Sequence, residues 1–247
     1  MRYFIELAYD GTLYHGWQIQ PNAISVQQVL TESASSYFRN PEFSLTGCGR
    51  TDSGVHAEEF YAHFDSESEI DVSKAVHNLN NMLPHDIAIK NIFKVEDSLH
   101  ARFNAISRTY KYHIHYKKNP FNRARSYRHY RLLDLDKMNA ACELLFNHSD
   151  YTSFSKLKTE TKTNNCFIIS ANWELSDDGI VFTIQADRFL RNMVRAIVGT
   201  MIEIGEGKLQ VEDLNEIISS KNRSNAGKSV PGHGLSLSAI QYPEGSL

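Results

Sequence analysis

The sequence predicts an α+β protein of two similar halves, each a mostly antiparallel sheet with helices on one face. Two observations carry this reading. Segments of two-residue hydrophobic period alternate with segments of helical period along the chain, and the order recurs loosely after residue 105. No low-complexity linker separates the halves, so they are expected to share a continuous or tightly packed sheet, with domains at 1–105 and 106–247.

The elements follow in order. Residues 3–10 alternate, with Tyr3, Ile5, Leu7 and Tyr9 on one face, and Asp10-Gly11 closes the strand. Helical spacing of Val26, Val29, Leu30, Ala34, Tyr37 and Phe38 predicts a helix from Ser25, which forms a capping box with Gln28 and ends at Asn40-Pro41. Short strands are expected at 43–48 and 59–64, then a helix capped by Asp71 that stops at Pro84, then a strand over 86–95. In the second half, 108–116 is a strand with Tyr110, Tyr112, Ile114 and Tyr116 on one face, and Arg108, Lys111, His113 and His115 towards the other. A helix starts at Asp134, and strands over 166–175 and 180–186 flank a Ser-Asp-Asp-Gly turn. A long helix over 187–204, a shorter one built on Val211, Leu214, Ile217 and Ile218, and a strand over 235–241 complete the chain.

Composition excludes several classes. With 41% hydrophobic and 22% charged residues over 247 positions, disorder is not the default. The longest apolar run, 189–204, carries Arg191 and Arg195, so no membrane association is expected, and the first residues lack the apolar core of a signal peptide. Three cysteines far apart give neither a disulfide framework nor metal spacing, which fits the reducing cytoplasm. His113 and His115 lack further ligands at metal spacing, and neither metal nor cofactor is expected.

Net charge is −3, yet residues 98–133 contain no acid. Arg102, Arg108, Lys111, Lys117, Lys118, Arg123, Arg125, Arg128 and Arg131 lie there among Phe103, Tyr110, Tyr112, Tyr116, Phe121, Tyr127 and Tyr130. Positive charge interleaved with aromatic faces is the footprint of an RNA-binding surface, or of a solvated basic segment balanced by acids elsewhere.

The densest chemical signal is Gly47-Cys48-Gly49-Arg50-Thr51-Asp52-Ser53-Gly54-Val55-His56-Ala57. Its glycines permit close approach of a ligand to the main chain and can set Asp52 on the floor of a cleft beside Arg50. The same composition also suits a tight turn in which Asp52 caps its own backbone. On a continuous helix, Arg188, Arg191 and Arg195 fall in one narrow stripe opposite Phe189, Leu190, Met193, Ile197 and Met201.

Gly-Arg-Thr-Asp-Ser-Gly-Val-His resembles the signature of the TruA family of tRNA pseudouridine synthases. Collinear segments agree: Tyr9-Asp10-Gly11-Thr12 with Tyr14-His15-Gly16-Trp17-Gln18, Leu99-His100-Ala101-Arg102-Phe103, Thr109-Tyr110-Lys111-Tyr112, Phe189 through Arg195, and Gly232-His233-Gly234-Leu235. The resemblance implies a bilobed cleft of the pseudouridine-synthase kind. It implies isomerisation of uridine to pseudouridine at positions 38, 39 and 40 of the tRNA anticodon stem-loop, without cofactor, by a homodimer.

Carried onto this chain, Asp52 is the nucleophile, acting at C1′, at C6, or first on a ribose proton. Arg50 holds the flipped nucleotide or its vacated space, Tyr110 stacks on the base, Arg195 supplies the cation that keeps a carboxylate ionised, and Leu235 walls the base. Leu99, His100, Ala101, Arg102 and Phe103, with Lys158, Thr159, Glu160, Thr161 and Lys162, contact RNA. The latter segment departs from the family pattern, as do Glu58 and Glu59, which bear on substrate range. An RNA-binding module without chemistry has no need of the carboxylate, and a glycosidase would want a second acid, for which only Glu58 lies near.

Overall fold

The computed structural model describes residues 1–156 and 162–247; of the predicted RNA contacts, Lys158, Thr159, Glu160 and Thr161 lie outside the described residues. The protein is α+β, with five α-helices and mostly antiparallel strands among the described residues. It divides into two compact units, Met1–Ile106 together with Leu237–Leu247, and Ser107–Ser236. Residues 237–247 thus pack with the first unit rather than with the residues that immediately precede them.

In the first unit, strand β1 (Arg2–Tyr9) runs antiparallel between β3 (His56–Asp65) and β4 (Ile87–Val95), and the short β2 (Thr46–Gly47) adds to β3. Strand β9 (Leu235–Gln241) lies on the other side of β3 from β1. Tyr3, Ile5, Leu7 and Tyr9 are buried, as their alternation requires. Phe4 on the opposite face is buried too, because Tyr61, Phe93 and Tyr242 close around its ring.

Helix α1 (Val26–Phe38) begins at Ser25, whose hydroxyl accepts from Gln28 N at 3.3 Å. The capping box is only half built, since the Gln28 side chain donates to Glu32 instead. The strand expected at 43–48 shrinks to β2 because the turn at Asn40 swings Phe43 inward, where it packs on Phe38 and Phe64. Asp71 caps α2 (Val72–Met82) through Lys74 N.

The second unit orders β5 (Ser107–His115), β8 (Gly179–Ala186) and β7 (Ile168–Ser176) as antiparallel neighbours, and β6 (Tyr127–Arg128) pairs in parallel with the end of β5. Helix α3 (Leu135–Leu145) is capped by Asp134, and α5 (Asp213–Ser219) by no side-chain bond. Two readings of the sequence need correction. On β5 the two-residue period puts Arg108 with Tyr110, and its guanidinium bonds the Asp187 carbonyl at 2.7 Å. His115 is buried against Ser126 Oγ.

The second correction is larger. Helix α4 (Met193–Gly205) starts six residues later than the period suggests, because Asn192 takes a left-handed φ of 68° that no continuous helix admits. Arg188 and Arg191 are therefore not on the helix, and no arginine stripe exists. Arg195 alone stands on α4, which is otherwise almost wholly buried. Among the described residues, no helix is long and apolar enough to cross a membrane.

Candidate active site

Asp52 sits in the connection from β2 to β3, half-buried, with Arg50 exposed two residues earlier. The N-terminal corner that follows β1 forms a cradle for this connection. The Trp17 ring stacks on both Tyr9 and Phe60, with the Trp17 and Phe60 ring centres 4.1 Å apart. Tyr9 Oη and Thr51 Oγ1 share a buried hydrogen bond of 2.9 Å. Main-chain bonds complete the seat: Trp17 N donates to Thr51 O, Gly54 N to Tyr14 O, and Val55 N closes a turn onto Asp52 O.

Close approach explains the glycines on both sides. A Cβ on Gly11 would stand 2.0 Å from Val55 O, and one on Gly16, whose φ is +86°, would stand 2.1 Å from Thr51 O. Gly47 makes room for the Trp17 indole, which a Cβ would meet at 2.5 Å. His56 Nδ1 lies 3.1 Å from both Gly11 N and Asp10 Oδ1. One nitrogen serves only one of them at a time, as acceptor for the amide or donor to the carboxylate. In either state it ties β3 to the Asp10-Gly11 corner. Tyr14 extends the bracing, its hydroxyl bonded to Asp86 Oδ1 at 2.6 Å, and burial together with that carboxylate pushes the phenol well above its ordinary pKa.

The second unit holds the other predicted contacts. Tyr110 is half-buried on β5, its ring edge-on to Phe189 at 5.2 Å. The core tyrosine of that face is Tyr112, fully buried with its hydroxyl on Pro231 O. Arg195 is half-buried near the start of α4 and locked to Val230 twice, through Nε to the Val230 carbonyl at 2.8 Å and through Val230 N to its own carbonyl. Leu235 is buried.

The segment carrying Val230 lies flush on α4. A Cβ on Gly199 would be 1.8 Å from Lys228 O, and Gly227 N donates to Thr200 Oγ1. Sequence reasoning missed Val230 and this contact, although a glycine inside a helix was a signal for close approach.

Of the predicted RNA contacts, Arg102 and Phe103 are exposed, with the guanidinium 5.7 Å from the ring centre, while Leu99 and Ala101 are buried and Lys162 is exposed. Elsewhere in the basic stretch, Phe121 and Tyr130 are exposed, and Arg128 stacks on Tyr130 at 4.7 Å. Glu59 is committed to structure, since its Oε1 accepts from Ile240 N. Glu58 has its carbonyl on Lys90 Nζ and its side chain outward. Among the described residues no group of three or more His, Cys, Asp or Glu is arranged to hold a metal ion.

A family model described as tRNA pseudouridine synthase, a class of RNA-modifying isomerase, matches residues 141–243. A Bacteroides fragilis protein named tRNA pseudouridine synthase A is 54% identical over 245 residues, covering 98% of this chain and 97% of its own. Its namesake from Bacteroides thetaiotaomicron is 52% identical (98% and 91% covered), and that from Bacillus subtilis 35% identical (98% and 99% covered). The chain belongs to the tRNA pseudouridine synthase A family.

Proposed function

We propose that this protein converts uridine to pseudouridine at positions 38, 39 and 40 in the anticodon stem-loop of tRNA, with Asp52 as the nucleophile. The reading rests on one observation above the rest. Asp52 lies on a connection held by Tyr9, Trp17, Tyr14 and His56 and packed backbone to backbone on Gly11 and Gly16. A reacting carboxylate needs that fixity, since sub-ångström placement carries much of the rate. A surface turn does not.

The reaction breaks the N1–C1′ bond, turns the base, and joins C5 to C1′; the proton lost from C5 is matched by one gained at N1, so mass is unchanged. Asp52 must act as the anion. Arg50, Tyr110, Arg195 and Leu235 bind the target nucleotide, which must leave its stack at a cost of a few kcal/mol. Arg102, Phe103 and the segment around Lys162 contact the RNA. The protein acts as a homodimer in the cytoplasm, and the tRNA substrate accords with the names of its relatives.

The test is carbodiimide tagging of an unmodified anticodon stem-loop read by reverse transcription. Stops at 38–40 that vanish with Asp52→Asn, while tRNA affinity stays within several-fold, support the assignment. A near-wild-type rate in Asp52→Asn would overturn the nucleophile. A monomer in sedimentation at micromolar concentration would remove the dimer.

A further inference from the structure

The connection after β4 that carries Arg102 and Phe103 is built in an unusual way. It is neither helix nor strand, yet its main-chain groups are met one after another by side chains from distant parts of the first unit. Arg2 Nη1 donates to Leu99 O at 3.0 Å. Ala101 N donates to His63 Nδ1 at 3.2 Å, and Ala101 O accepts from the Tyr242 hydroxyl at 2.5 Å. Within the loop, His100 Nδ1 accepts from both Arg102 N (3.0 Å) and Phe103 N (3.3 Å), while His100 N donates to Asn104 Oδ1 and His100 O accepts from Asn104 N. Leu99 and Ala101 are pulled into the core, and Phe103 is left 75% exposed.

We infer that Arg2, His63, His100 and Tyr242 are positioning residues, which hold the 99–103 loop in the one shape that presents Arg102 and Phe103 to RNA. This rests on the tRNA-modifying reading above. His100 was expected to touch RNA itself. Its imidazole serves the loop itself as an acceptor, its ring 4.6 Å from that of His63 and 4.3 Å from that of Phe103. An aromatic platform binds a base at low entropic cost only if it is already fixed.

Both histidines accept at Nδ1 and so must be unprotonated there. The surroundings favour that state. Burial, then Arg2 and the neighbouring His100, lower His63 to about 4, against a small opposing pull from Asp65. His100 is also lowered, by burial, then Arg2 and Arg102, against an opposing backbone hydrogen bond. Arg2 is itself anchored by Asp65, through Nε and Nη2 at 2.9 Å each, and Asp97 accepts from its main-chain N–H. Acidification therefore works against the loop in a definite way. A proton on His100 Nδ1 removes two acceptor bonds and adds a cation beside Arg2 and Arg102.

The experiment uses the full-length protein and an unmodified anticodon stem-loop. His100→Ala removes the acceptor. His100→Asn replaces it with an amide oxygen that can bond the amides two and three residues on, as asparagine does in local turns, and that does not titrate. The expected result is RNA affinity weakened roughly tenfold in His100→Ala and largely restored in His100→Asn, the size following from lost hydrogen bonds. As the pH falls below the ordinary histidine range, affinity should fall more steeply in the wild type than in His100→Asn. Tyr242→Phe, which lies outside the binding surface, should raise KM for RNA by about fivefold with kcat within twofold.

In a Phe103→Ala background these effects should shrink, because the residue being presented is gone. Equal affinity for His100→Ala and wild type, equal loss in both His100 variants, or effects undiminished in Phe103→Ala would overturn the inference. A wild-type protein that neither binds nor modifies the stem-loop would refute the underlying reading, and this inference with it. An active wild type with unresponsive variants would sink the inference alone.

Discussion

Replacing Gly11 by alanine tests whether the seat of Asp52 matters for rate. The added methyl would lie 2.0 Å from Val55 O, whereas ordinary contact begins at 3.4 Å, so 1.4 Å of separation must be found. The obstacle is main chain, with no flexible side chain to fold away. Val55 N is bonded to Asp52 O, so a displaced Val55 carries the Asp52 turn with it. If the connection absorbs most of the shift, the carboxylate moves by about 1 Å, enough for roughly a hundredfold loss of rate, or about 2.7 kcal/mol of transition-state stabilisation. Overpacking of this kind also costs about 1–3 kcal/mol of stability. The assay is single-turnover pseudouridine formation at saturating enzyme, with a thermal melt and RNA affinity alongside. A folded Gly11→Ala protein that turns over within threefold of wild type would refute the claim that the corner sets the position of Asp52.

Three further outcomes follow from other contacts. Tyr9→Phe deletes the buried bond to Thr51 and should lower stability by about 1 kcal/mol, read as a fall in Tm of about 2–4 °C; an unchanged Tm would show that bond to be dispensable. Gly199→Ala drives a Cβ into Lys228 O, displacing the segment that bonds Arg195, and should weaken both thermal stability and substrate binding; a variant melting with the wild type would show that segment free to shift. His63 is lowered to about 4 in the folded protein from an ordinary 6.5. Between those values the unfolded chain binds the extra proton, so folding stability should be intact above pH 6.5 and decline as pH falls towards 4. Denaturant melts across that range should be flatter for His63→Asn, and an equally steep decline in that variant would place the dependence elsewhere.

What the sequence made legible was mostly local. Ser25, Asp71 and Asp134 each cap the next helix through an amide three residues on, and such caps are readable because cap and acceptor are neighbours. Strand β9 spans the residues 235–241 expected for it. Helix α4 was misjudged at its start because Arg188, Phe189, Leu190 and Arg191 keep helical spacing without being helical, and one left-handed asparagine decides the matter. Asn is the ordinary residue most at ease there, so the signal existed but was weak.

The Asp52 motif and the N-terminal corner were both visible as separate strings, but the backbone-to-backbone contact joining them was not. Arg2, His63 and Tyr242 were invisible as a group. Their common target is one loop, 38 to 141 residues away in sequence, and no periodicity or spacing encodes that.

The discontinuous make-up of the first unit has a consequence for synthesis. Residues 1–106 leave the ribosome well before Leu237–Leu247, and the whole of Ser107–Ser236 is made in the interval. At 5–20 residues per second that interval lasts roughly ten seconds. Throughout it β3 lacks its β9 neighbour, Phe4 lacks the cover of Tyr242, and the 99–103 loop lacks one of its anchors. An open strand edge beside exposed aromatics is an aggregation hazard. A chain arrested after residue 236 should therefore show β3 amides exchanging faster than in the full chain and should bind RNA poorly. Equal protection in both would mean that the first unit matures without its last strand.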